Sequence, residues 1–318
     1  VITVVGESLV DLMEDPSGEV TLFPGGSPAN VALTLARLGQ HATLLTQHGD
    51  DANGRLLRDH LTSNGVRLDP ASVQNLPSTS VARTQVGPDG QARYDFDITW
   101  RSFLDRAPNS IGAQAQCLHT GSLATILQPG ADDVLALVRD RRATTTISFD
   151  PNCRPSLMGN RITALRRVEE LVATSDIVKV SREDLEWLHP GHGHDRVGRE
   201  WLDLGASLVV VTLGGDGAWA ATRRDVVQVA ARQVRVVDTV GAGDAFTAGL
   251  LTALNRRNLL GATRLAALEA VDRNTVAAML TEAADVAALT CARRGADPPT
   301  LAELTATAPA KSSVAGRP

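Results

Sequence analysis

Short apolar, β-branched runs alternate with helical stripes along most of the chain, and this rhythm limits the fold more than any other feature. Residues 1–5, 41–46, 116–120, 144–149, 177–180 and 208–213 read as strands. Between them, residues 27–38, the stretch carrying Leu56, Leu57 and Leu61, and residues 131–142 and 162–173 show helical spacing. Leu208–Leu213 is apolar at five of its six positions, as expected of a strand covered on both faces. Strand and helix in strict alternation predict a parallel sheet with helices on both sides, the α/β class. Local signals place several boundaries. Pro28 suits the first turn of the helix at 27–38, and Gly39 stops it.

Residues 80–99 break the rhythm. Ser80 to Val86 and Gln91 to Thr99 are two alternating runs joined by Pro88-Asp89-Gly90, which reads as a β-hairpin. A hairpin cannot act as a β-α-β crossover, so it is expected to leave the main sheet. Two helical stretches, 263–281 and 283–293, are expected to close the domain. Residues 305–318, rich in Ala, Thr, Pro and Ser, read as a flexible tail. A chain of 318 residues can bury one sizeable core, and a single domain over 1–304 fits.

Composition excludes several function classes. A net charge of −5 with no basic block gives no expectation of nucleic acid as a partner. No apolar run reaches the roughly 18 residues of a membrane span, and no secretory leader is recognised, so a cytoplasmic protein is expected. Cys117, Cys153 and Cys291 match no metal spacing and no disulfide framework. The only lysines are Lys179 and Lys311, and neither lies in a Walker-type phosphate loop.

The chemistry concentrates at Asp238-Thr239-Val240-Gly241-Ala242-Gly243-Asp244-Ala245-Phe246. Val234, Val236 and Val237 ahead of it read as a strand; Phe246, Leu250, Leu251 and Leu254 behind it read as a helix. A helix start offers unpaired N–H groups and partial positive charge, hence an anion site. Gly241, Ala242 and Gly243 allow close approach to the backbone. Asp244 falls in the first turn, where the helix favours its ionised form. A carboxylate beside an anion hole suits the base of a phosphoryl transfer. The same residues also suit an ordinary Gly-rich turn with a capping Asp.

That nine-residue string resembles the signature of the ribokinase-like (PfkB) carbohydrate kinases, and Gly25-Gly26-Ser27-Pro28-Ala29-Asn30-Val31-Ala32 resembles the family's N-terminal signature. The resemblance covers residues 1–304. It implies a three-layer α/β/α sandwich with a small β lid formed by about 8–23 and 80–99. It implies Asp244 as catalytic base, and the Gly241, Ala242 and Gly243 amides as anion hole. Asp11, Gly25, Gly26 and Asn30 match sugar-binding positions. Asp150-Pro151-Asn152-Cys153-Arg154 resembles a D-P-N-x-R segment of fructokinases and 2-keto-3-deoxygluconate kinases. Arg154 is then a phosphate or substrate ligand, with a structural bridge to Asp150 as the alternative.

Thr212, Gly214, Gly215 and Gly217 resemble the family's T-x-G-x-x-G nucleotide loop. Ser181-Arg182-Glu183-Asp184 stands where the family has N-x-x-E; Glu183 or Asp184 would serve Mg²⁺ through water. Lys179 either reaches a phosphate or ties down a carboxylate. Asp238, Val240 and Gly295 match positions that hold a monovalent cation, potassium. The implied activity is transfer of the ATP γ-phosphate to a sugar hydroxyl, with fructose first and 2-keto-3-deoxygluconate the rival. Homodimerisation through the lid is a further implication. A silent sugar- or nucleotide-binding regulator is the reading from another class, which the intact Asp244 disfavours.

Overall fold

The computed structural model describes residues 1–15, 17–86, 92–104 and 111–306. The Pro88-Asp89-Gly90 turn and residues 307–318 of the expected tail lie outside the described residues. Strands β1 (Ile2–Val5), β2 (Leu9–Glu14) and β3 (Val20–Gly25) lead into α1 (Ser27–Arg37) and β4 (Ala42–Leu45). Then come β5 (Gln47–Gly49), α2 (Ala52–Ser63), β6 (Arg67–Leu68), β7 (Val73–Leu76), β8 (Val81–Val86) and β9 (Ala92–Asp97). From β10 (Cys117–Gly121) the alternation runs α3 (Gly130–Arg141), β11 (Thr146–Asp150), α4 (Arg161–Val172) and β12 (Ile177–Ser181). It continues through α5 (Arg182–Leu188), α6 (His194–Leu204), β13 (Leu208–Thr212), β14 (Ala218–Ala221) and β15 (Val226–Val229). The chain closes with α7 (Ala242–Arg256), α8 (Leu265–Glu269), α9 (Arg273–Cys291) and α10 (Leu301–Ala306).

Nine strands form the main sheet in the order β15-β14-β13-β12-β11-β10-β1-β4-β6. Every pair is parallel except β13 with β14 and β14 with β15. The apolar run in β13 is explained by its two covered faces. Leu208 and Val210 join a core with Leu35 of α1, Leu250 and Leu254 of α7 and Met279 of α9. Val209 and Val211 join the opposite core with Val168 and Leu171 of α4 and Trp201 of α6. The result is three layers. The strand order turns at β1, whose neighbours are β10 and β4, so the loops after β1 and β10 flank a switch point of the kind where open α/β sheets bind ligands.

The interrupted segment does leave the main sheet. β8 and β9 form an antiparallel pair, and β8 joins β2 in parallel to build a four-stranded sheet, β3-β2-β8-β9. Among the described residues, no helix is long and apolar enough to cross a membrane.

Three expectations change. Residues 234–237 are not a strand; Val236 and Val237 are exposed, and the segment's backbone bonds run from Val237 and Asp238 N–H to the Cys291 carbonyl. The stretches at 263–281 and 283–293 are not two helices divided near 282. The break falls at 270–272, where the Asp272 carboxylate caps the Asn274 and Thr275 amides, and α9 then runs unbroken to Cys291. Residues 305 and 306 end α10 rather than open the tail.

Candidate active site

The signature turn opens on Gly241, whose φ of 74° lies in the left-handed region and whose added Cβ would stand 2.6 Å from the Ala296 Cβ. The Ala242 N–H donates to the Thr239 carbonyl at 3.2 Å. The Gly243 and Asp244 amides belong to the first helical turn, which has no i−4 carbonyls to meet them. Asp244, buried in this turn, has a carboxylate held from three sides. Ser27 Oγ donates to Oδ1 at 2.7 Å and Asn30 Nδ2 to Oδ2 at 2.9 Å, both from α1. Asn152 Nδ2, beyond β11, approaches Oδ1 at 3.4 Å. Burial raises the Asp244 pKa, opposed by the Asn30 and Ser27 hydrogen bonds and by Lys179. Desolvation outweighs these opposing contacts, and the carboxylate is more basic than an ordinary one.

A cavity of about 340 Å³ lies over this carboxylate. The small sheet covers it with Leu9, Asp11, Ala82 and Phe96, joined by Ile98 just after β9. Gly26, Ser27 and Asn30 come from the start of α1; Glu7, Ser122, Asn152 and Arg154 come from loops at the strand ends; Val240, Gly241 and Gly243 come from the signature turn. Gly25 stands beside it rather than in its lining: β2 and β3 set Leu9 opposite Gly25, and a Cβ there would strike Asp11 Oδ2. Gly26 has φ of 100°, and its Cβ would lie 2.6 Å from the Glu7 carbonyl.

Charge in the cavity is mostly negative. Burial lifts Asp11 to about 6, with Arg154 pulling down and Asp244 pushing up. Glu7, 3% exposed, is lifted to about 7 by burial; the Ser122 hydroxyl and the Ala124 amide, which donates to Oε2 at 2.9 Å, oppose that rise. Arg154 is exposed and donates to Asn152 Oδ1 at 2.7 Å and to the Cys153 carbonyl at 2.9 Å. It does not bridge to Asp150, which pairs instead with Lys179 at 2.9 Å.

Sequence reasoning did not single out Ser27, Asn152, Glu7 or Ser122. Ser27 and Asn152 stood inside strings already noticed, and Asn152 carries a positive φ of 37°. Glu7 had no local pattern to mark it; it is assembled by the switch point, where its carboxylate joins the loop after β1 to the loop after β10.

The remaining expected residues, apart from Val240, lie outside this cavity's lining. Thr212 ends β13, and Gly214–Asp216 form a 3₁₀ turn held by Arg182, which donates to the Leu213 carbonyl and to Asp216 Oδ2 at 2.7 Å. A Cβ on Gly215 would meet nothing within 4 Å, so that backbone is open to a ligand, whereas Gly217, at φ of 99°, is closed by Val229. Ser181 and Asp184 form a capping box for α5. The Asp184 oxygens accept from Cys153 N at 2.8 Å and Ser181 N at 3.2 Å; Glu183 beside it is exposed. Asp238 draws its set together: it accepts from Val240 N at 3.0 Å and Gly295 N at 2.8 Å. These amides overcome burial and keep its pKa below the ordinary value.

The profile of the pfkB family carbohydrate kinases matches residues 2–303. The chain belongs to the PfkB family. A fructokinase of Rhizobium leguminosarum bv. trifolii is 35% identical over 269 residues, 83% of this chain and 82% of its own. Among solved structures, a fructokinase of Xylella fastidiosa with bound ATP superposes with a TM-score of 0.85 at 27% identity, covering 96% of this chain and 97% of its own. A double-mutant fructokinase of Vibrio cholerae O395, solved with fructose, ADP and a potassium ion, gives 0.73 at 25% identity over 95% and 94%. The α/β/α layers and the small β sheet are thus the ribokinase-like fold of PfkB kinases, and the chain is a carbohydrate kinase.

Proposed function

We propose that this PfkB kinase phosphorylates fructose from ATP, with Asp244 as the base. The observation that carries this reading is the Asp244 carboxylate, buried at a helix start and fixed by Ser27 and Asn30 at the floor of a cavity lined with carboxylates. A sugar hydroxyl there gives its proton to Asp244; its oxygen bonds to the γ-phosphorus, and the bond from that phosphorus to the bridging oxygen breaks, releasing ADP. The Gly243 and Asp244 amides, Gly241 and the α7 start stabilise the phosphoryl oxygens, with Arg154 at the rim. Asp11, Gly26 and Asn30 hold the sugar, Gly25 leaves room for the Asp11 carboxylate, and the β3-β2-β8-β9 sheet acts as a lid that keeps water from the phosphoryl group.

The nucleotide is assigned to the loop of Thr212, Gly214 and Gly215, with Gly217 closing the turn against Val229 rather than facing the ligand. Mg²⁺, brought on the phosphates, supplies charge neutralisation when bound. Among the described residues no group of three His, Cys, Asp or Glu side chains is placed to cage a metal. Magnesium usually keeps several waters, and the exposed Glu183 is assigned as its carboxylate rather than the buried Asp184, whose oxygens accept from the Cys153 and Ser181 amides. Potassium is assigned to the Asp238, Val240 and Gly295 group. Exposed Met13, Val20 and Leu22 on the lid support homodimerisation there, and three free thiols suit a reducing cytoplasm.

Fructose is favoured over 2-keto-3-deoxygluconate by charge. Among the described residues that line the cavity, Glu7, Asp11 and Asp244 are accompanied by one cation, Arg154. A substrate carboxylate desolvated among them costs several kcal/mol unless paired. Neutral hydroxyls can donate to each of these acceptors. Coupled ADP release with a sugar panel and MgATP tests the reading. A kcat/KM for the keto acid ten times that for fructose, about 1.4 kcal/mol in transition-state binding, would overturn the substrate while sparing the kinase.

A further inference from the structure

Two of the chain's 31 basic Lys and Arg residues are lysines, and one of them, Lys179, is buried to 4% exposure directly under the signature turn. It reaches up from β12, and its Nζ would lie 3.1 Å from a Cβ placed on Gly243. A compact ammonium fits that gap; a guanidinium fork is larger and needs more partners. Lys179 donates to Asp150 Oδ2 at 2.9 Å. Thr247 Oγ1 donates to the same oxygen at 3.3 Å and contacts the Gly243 carbonyl at 3.1 Å, so the pair is tied to the first turns of α7 from below. Removing one partner of such a pair would leave an uncompensated buried charge.

We propose that Lys179 is a positioning residue for the transfer reaction: seated beneath Gly243, its ammonium holds Asp244 as a carboxylate and draws phosphoryl oxygens onto the helix-start amides, while Asp150 sets how much of that charge reaches the site. This rests on the kinase reading above. Lys179 therefore meets no phosphate directly; its field acts through the turn. The charges facing Asp244 have opposite effects: Lys179 lowers its pKa and Asp150 raises it. The other groups around it are Asp11 on the lid, Glu7 after β1, Arg154 after Asn152, and the neutral Ser27, Asn30 and Asn152. Asp184 of α5 acts on Lys179 itself, whose ammonium is driven up in pKa by Asp150 against the cost of burial.

The test is the pH profile of kcat, at saturating fructose and MgATP, for the wild type, Lys179→Met, Asp150→Asn and the double variant. That profile reports groups in the ternary complex rather than those controlling sugar entry. Lys179→Met is expected to move the acid limb up by about one pH unit and Asp150→Asn to move it down; the double variant lies between them. Packing loss alone lowers kcat without moving the limb, or moves it the same way in both single variants, and either result overturns the proposal. Should Lys179→Met fail to fold, Asp150→Asn and the double variant carry the same test, since a limb that stays put in both is equally fatal. Wild-type protein inactive on every sugar would instead strike at the kinase reading itself.

Discussion

At the scale of single residues, the site works by keeping carboxylates out of water while giving them donors. Glu7 shows the cost of that arrangement. Its pKa of about 7 lies above that of an unfolded glutamate, so the folded state holds the proton more tightly. The stability this brings is fully present below the unfolded pKa and is lost as pH rises through about 7. Glu7→Gln keeps an oxygen for the Ala124 amide and removes the charge. The variant is expected to be more stable than wild type at pH 8, by on the order of 1–3 kcal/mol, with the advantage gone by about pH 5. Thermal melts of ligand-free protein at the two pH values check this; a difference that does not depend on pH would contradict it.

At the scale of elements, the lid hairpin sets the sugar end through register. Pairing Leu9 with Gly25 puts a residue without a side chain against the Asp11 carboxylate. Gly25→Ala is therefore expected to displace Asp11 and raise the fructose KM about tenfold, the worth of one charged hydrogen bond, with the ATP KM unchanged. Steady-state kinetics in each substrate decide it; equal effects on both would point to a general distortion.

Legibility in the sequence follows the same scale. β13 and the turn at Gly241 were readable because covered strands and helix starts leave local marks. Val234–Val237 misled for the same reason: β-branched residues have strand propensity, but among the described residues no strand pairs with this segment, and propensity yields to the lack of a ladder. In α9 the periodicity hid the true break, although Asp272 was present as a cap. The Glu7–Ala124 contact, 117 residues apart in the chain, belongs to topology and had no local sign.

At the scale of the whole molecule, three separate chain regions meet at Asp244: α1, the loop after β11, and α7. The switch point and the lid bring Glu7 and Asp11 to the same cavity. A cation at the Asp238 group would brace the loop that shapes the anion hole. Potassium is accordingly expected to raise kcat relative to a large organic cation, measured at constant ionic strength; equal rates would remove the ion from the account.

The central claim is that Asp244 takes the proton of the sugar hydroxyl, and Asp244→Asn tests it most directly. Kinetics with fructose and MgATP, set beside ATP binding and thermal stability of the same protein, separate chemistry from folding. The expected result is a kcat lower by about 10²–10⁴, the usual worth of a general base, with ATP affinity and melting temperature close to wild type. Turnover near the wild-type rate would contradict it.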